Sequence, residues 1–136
     1  EIHERLVGSE MCIRDRALSI LFLAGCKPSD EKAIDIAKKE VAADMKDPDS
    51  AKFRYLRFVK AGEKDGLVGG FVCGEINSKN SYGAYAGYSK FQLALTMKSK
   101  GFFSKGVNYT IDDKKIYKTL IGSDLDFYYK VCGQDE

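Results

Sequence analysis

Glu75, Asn77, Lys79, Asn80, Tyr82, Tyr85 and Tyr88 crowd into one stretch, Cys73-Gly74-Glu75-Ile76-Asn77-Ser78-Lys79-Asn80-Ser81-Tyr82-Gly83-Ala84-Tyr85-Ala86-Gly87-Tyr88-Ser89-Lys90-Phe91. The tyrosines recur among small residues, beside a carboxylate, two amides and an ammonium group. That set suits recognition: tyrosine offers a rigid apolar body with a polar tip, and Gly and Ser adapt around it. The competing reading is a glycine-rich β-connection whose tyrosines cover the sheet while Asn and Lys make turn bonds. Gly83-x-x-x-Gly87 is no membrane-helix motif, because its surroundings are polar. It is no phosphate loop either, because no Gly-Lys-Ser/Thr follows. Glu75 would make a glycosidase-like pair with Asp112 or Asp113 if the fold set them the required distance apart. Ser29-x-x-Lys32 has the spacing of a Ser/Lys nucleophile motif without its companion motifs, and reads better as a helix start. The one histidine, His3, stands near the start of the chain. Imidazole-activated nucleophiles and histidine metal sites are therefore not expected in the domain. No catalytic residue, metal or cofactor is expected, although carboxylate and Ser/Lys chemistry stay open.

The chain has 136 residues, one domain's worth, with an ordinary globular balance of 44% hydrophobic and 31% charged residues. From Lys27 onward Lys and Arg outnumber Asp and Glu by 19 to 16, without a dense basic patch, so nucleic acid is not an expected partner. Residues 17–24 form an uncharged apolar run behind Arg14 and Arg16, too short to span a bilayer. They suit a signal peptide. Leu23-Ala24-Gly25-Cys26 resembles the bacterial lipobox, in which the cysteine thiol takes a diacylglycerol and becomes the first mature residue. The expected organisation is a signal peptide over 1–25, a lipidated tether over 26–29 and a single domain over 30–136. Residues 7–16 resemble translated sequencing-adapter read-through, so residues 1–16, with Cys12 and His3, carry no functional weight. A lipid-anchored protein faces an oxidising compartment. There the remaining pair, Cys73 and Cys132, reads as one disulfide. Two buried free thiols are the alternative.

Positioning falls to the flanking elements. Ser29 as cap, Asp30 and Glu31 in a first turn, and Ala33, Ile34, Ala37, Val41 and Met45 at helical spacing predict a helix over 30–46. Glu31, Asp35 and Lys39 lie on its solvated face. Asp47 and Pro48 predict a cap and first turn. A strand starts near Phe53, with a bulge where parity changes between Tyr55 and Leu56. Residues 62–66 read as a turn. Residues 67–77 read as a central strand, apolar on both faces. Phe91, Leu93, Leu95 and Met97 alternate with Gln92, Ala94, Thr96 and Lys98, a half-buried strand. Gly101 and Gly106 punctuate the chain before Val107, Tyr109 and Ile111 alternate again. Asp112-Asp113 reads as a turn into 116–121. Ser123 is expected to cap a last helix carrying Leu125, Tyr128, Tyr129 and Cys132 on one face, ended by Gly133. The expected fold class is α+β: an antiparallel sheet of four to five strands packed by an N-terminal and a C-terminal helix, with one disulfide.

Asp47-Pro48-Asp49-Ser50-Ala51-Lys52-Phe53, Val72-Cys73-Gly74-Glu75-Ile76-Asn77, Lys79-Asn80-Ser81-Tyr82-Gly83, Tyr85, Gly87-Tyr88, Phe91 and the late Cys132 together resemble a family of small uncharacterised bacterial lipoproteins and phage-associated envelope proteins. The resemblance covers about residues 47–132 and implies export and a single domain without supplying a mechanism. This chain lacks the tryptophan expected near the C-terminal cysteine, and Phe127, Tyr128 and Tyr129 are candidates to fill that space. The expected function is a lipid-anchored periplasmic binding or interaction module. It would be held in a membrane, the outer membrane favoured by Lys27 after Cys26, and would grip an envelope protein or glycan. An inhibitor or exclusion factor is a variant by class analogy. The alternatives are a structural envelope lipoprotein and a carboxylate-based enzyme acting on envelope glycan.

Overall fold

The computed structural model describes residues 28–100, 106–118 and 122–134. The segment expected to be a signal peptide, Cys26, Lys27, Gly101 and residues 119–121 lie outside these. The elements are α1 (Asp30–Ala42), β1 (Lys52–Lys64), β2 (Leu67–Asn77), β3 (Ser89–Ser99), β4 (Val107–Tyr117) and α2 (Ser123–Cys132). The strands form one antiparallel sheet in chain order, β1-β2-β3-β4. The fold is α+β, and β2 is interior, as its two apolar faces required.

Alternation along β2 assigns each helix a face. Val68, Val72 and Ile76 join Phe91, Leu93, Leu95 and Met97 against Ala33, Ile36, Ala37 and Val41 of α1. Cys73, on the opposite parity, meets Tyr117, Tyr128 and Cys132 under α2. Ser29 Oγ accepts the Lys32 N–H at 3.2 Å to start α1, and Asp30 and Glu31 favour its positive end. Ile36 carries the buried stripe, while Ile34 and Met45 pack at its margin. The helix stops at Ala42, short of 46, because the Asp44 and Met45 N–H groups turn back to the Val41 and Ala42 carbonyls. Pro48–Ser50 forms a single 3₁₀ turn, and the Asp47 side chain does not cap it.

Two turn expectations and one cap are corrected. Residues 62–66 are not one turn: β1 runs to Lys64, Gly62 pairs with Gly69, and the reversal is Asp65-Gly66 alone. Both turn residues have positive φ, 54° and 80°, the type I′ geometry that Asp-Gly supplies and that matches strand twist. Asp112-Asp113 is not a turn either. β4 passes straight through, and the register shift opposite Ala94 and Leu95 makes the acidic pair a bulge. Ser123 is the first residue of α2, behind Gly122, and its side chain makes no cap bond. The bulge expected between Tyr55 and Leu56 is present. Register breaks between Arg54 and Arg57, and Tyr55 takes φ 57°.

The disulfide joins Cys73 of β2 to Cys132 at the end of α2, Cα atoms 5.9 Å apart. Arg57, the cross-strand partner of Cys73, reinforces the same junction. Its Nε donates to the Cys132 carbonyl at 2.9 Å and its Nη2 to the Gly133 carbonyl at 3.2 Å, a cation at the negative end of the helix. Tyr128 is fully buried, edge-on to Tyr117 and Tyr129. Tyr128 and Tyr129 thus fill the space beside the cysteine, while Phe127 points outward and is 47% exposed.

Candidate functional site

The connection from β2 to β3 carries the tyrosines, and side chains hold it in shape. The Asn80 N–H donates to the Ala84 carbonyl at 2.8 Å, and the Gly83 N–H donates to the Asn80 carbonyl at 3.0 Å. Asn80 Oδ1 accepts from the Tyr82 and Ala84 N–H groups at 2.9 and 3.2 Å. Gly83 sits at φ 78°, a conformation costly for residues with a Cβ. Lower down, Lys79 and Tyr85 pair across the loop, and Asn77 Oδ1 accepts the Gly87 N–H at 3.1 Å. Ser50 ties this loop to the turn after α1. Its hydroxyl donates to the Asp47 carbonyl at 2.7 Å and accepts the Lys79 N–H at 2.8 Å, while its carbonyl accepts the Tyr85 hydroxyl at 2.9 Å.

These bonds divide the seven expected binding residues. Asn77 and Asn80 act inward, on the loop's own backbone. Glu75 is 8% exposed and receives Arg54 Nε at 2.9 Å and Nη2 at 3.4 Å. The hydrogen bond to Glu75 foremost raises the Arg54 pKa above its ordinary value, against an opposing desolvation. The Arg54 guanidinium also lies 3.8 Å from the Tyr88 ring centroid, so Tyr88 belongs to the same half-buried stack. Lys79, Tyr82 and Tyr85 face outward. Tyr82 is 94% exposed at the tip, and Tyr85 is 39% exposed. Over the Tyr85 ring stand the ammonium groups of Lys52 and Lys79, 4.6 and 5.9 Å from its centroid.

Lys52, Arg54 and Ser50 were not among the expected site residues. For Ser50 and Lys52 the sequence signal was the Asp47–Phe53 motif itself, whose link to the loop pairs one side chain with one backbone group in each bond, so no side-chain pattern displays it. Tyr55, 40% exposed and in contact with Arg54 at 5.2 Å, joins them by way of the bulge.

A paired-carboxylate site does not form. Glu75 stands at the level of Lys90, and Asp113 stands opposite Ala94 on the far side of β3. Four residues along and two strands across place their backbones about 16 Å apart, beyond the reach of an inverting pair. Asp112 accepts the Thr96 hydroxyl at 2.8 Å. Among the described residues no cluster of three or more His, Cys, Asp or Glu could hold a metal ion, and no helix is long and apolar enough to cross a membrane. No protein-family model, curated protein or solved structure matches this chain.

Proposed function

We propose that the chain is a lipid-anchored periplasmic binding module whose contact element is the 77–88 loop. The observation that carries this reading is Tyr82, almost fully exposed on a turn whose backbone is closed by Asn80. A large ring left in water on an ordered turn has no role in the core. As a rigid anchor that loses little conformational freedom on docking, it has the properties of an interface hot spot. The anchor is Cys26, with the outer membrane as the favoured site, and the motif around it supports that assignment. Glu75 is engaged by Arg54, which favours binding over carboxylate catalysis.

A photoreactive residue replacing Tyr82 in cells tests the contact. One dominant adduct is expected. It should weaken when Asn80→Ala loosens the turn, and it should be absent when the probe replaces Phe127 on the opposite face. Equal labelling from both positions, or none from Tyr82 in a folded protein, overturns the reading. Fatty-acid labelling that survives Cys26→Ala would refute the anchor separately.

A further inference from the structure

We infer that the loop docks an acidic polypeptide segment bearing an apolar side chain, with Lys52 and Lys79 receiving its carboxylates and Tyr82 its apolar group. This rests on the binding reading and specifies its partner. Two ammonium groups within 6 Å of one ring centroid form a concentrated positive feature. Neither is in an ion pair among the described residues, although Asp47 and Asp49 lie on the adjoining turn. Arg54, beside Lys52 on β1, is by contrast committed to Glu75. The Tyr85 ring holds Lys52 and Lys79 in place by attraction of cations to its face. They are thereby preorganised for carboxylates, which steer association and fix register.

Other occupants fit less well. A saccharide needs open aromatic faces, but Tyr85 is approached by Lys52 and Tyr88 by Arg54, leaving only Tyr82 free. A membrane surface is disfavoured by direction. The chain enters α1 at Asp30, and the loop rests on the turn beyond the other end of that helix. Thirteen residues make α1 about 20 Å long. The tip therefore lies a helix length from the end nearest the tether.

The test is fluorescence anisotropy of the full chain with dye-labelled peptides: Asp/Glu flanking a Leu-Phe pair, Lys flanking the same pair, and Asp/Glu flanking Gly-Ser. Oligogalacturonate serves as the acidic saccharide. The acidic apolar peptide is expected to bind best and to lose affinity with added salt. Lys52→Glu/Lys79→Glu should weaken it about tenfold, and Tyr82→Ala about thirtyfold. Lys52 and Tyr82 are exposed and Lys79 is half-buried, and unchanged melting temperatures confirm that the variants fold. Oligogalacturonate binding without peptide binding overturns the inference in favour of a glycan. Binding that ignores peptide charge, or no binding to any peptide, also overturns it. If the Tyr82 cross-link persists in cells through such a result, the partner's chemistry is wrong and the binding reading stands.

Discussion

Replacing both bridging cysteines, Cys73→Ala/Cys132→Ala, removes a crosslink spanning 59 residues of sequence without adding a polar group to a buried site. In the chain-entropy description a loop of that size restricts the unfolded ensemble by about 4 kcal/mol at room temperature. The native state loses little else at the junction. Tyr128 stays buried, and Arg57 still reaches the Cys132 and Gly133 carbonyls. The variant should therefore keep its far-ultraviolet spectrum and lose stability. With a urea slope of about 2 kcal/mol per molar, its midpoint falls by about 2 M. The slope itself should rise, because an uncrosslinked unfolded chain exposes more surface. Wild type reduced while unfolded and then refolded under reductant should match the variant. Native wild type should resist the same reductant, since Cys73 is fully buried and Cys132 nearly so. A loss under about 1 kcal/mol with an unchanged slope would refute the reasoning. The crosslink would then not be restricting the unfolded chain.

Gly70→Ala should cost at least about 2 kcal/mol, because the new Cβ would lie 2.7 Å from the Phe58 ring and against the Val59 carbonyl. Gly62→Ala, with nothing within 4 Å of the new carbon, should stay within about 0.5 kcal/mol of wild type in the same urea titration. Glu75→Gln removes the charge that Arg54 grips and should cost about 1–2 kcal/mol by thermal unfolding. A variant as stable as the parent would show the pair to be fully solvated in effect. The Tyr109, Tyr117 and Tyr128 hydroxyls are all pushed above 10.0, desolvation being the largest cause in each, with the Glu40 hydrogen bond adding at Tyr109. A raised folded pKa means stability is fully present below the unfolded value and is lost as pH rises through the folded one. The urea midpoint should hold at neutral pH and fall above pH 10, with the tyrosinate absorbance of these three rings arriving alongside unfolding. A midpoint that rises in that range would contradict the burial of these rings.

Much of this architecture was legible because each signal was local. The alternation from Phe91 to Met97, the even partition of β2 and the Ser29 cap each act within a few residues. The turn errors share a cause. Gly62 and Asp112-Asp113 carry turn-forming chemistry, but pairing with β2 and β3 overrides it, leaving bulges in place of reversals. At the candidate site the stretch itself was legible, and its division of labour was not. Glu75 is neutralised by Arg54, which lies 21 residues earlier, and the Lys79 and Tyr85 positions are set by Ser50, 29 and 35 residues away. Those partners become neighbours only once register is fixed, and a backbone carbonyl as acceptor leaves no trace in residue type. Lys52 escaped notice for the same reason.

The turn at Asn80 separates frame from display. Its shape depends on backbone groups and on the amides of Asn77 and Asn80. Among the described residues the side chains of Ser81, Tyr82 and Ala84 make none of the bonds that hold it. Those three positions can therefore exchange side chains at almost no thermodynamic cost while the scaffold stays constant. A lineage carrying this fold could retarget itself by one or two codon changes at the tip. Diversity concentrated at those positions, above an unchanging amide frame, is the evolutionary signature such an arrangement would leave.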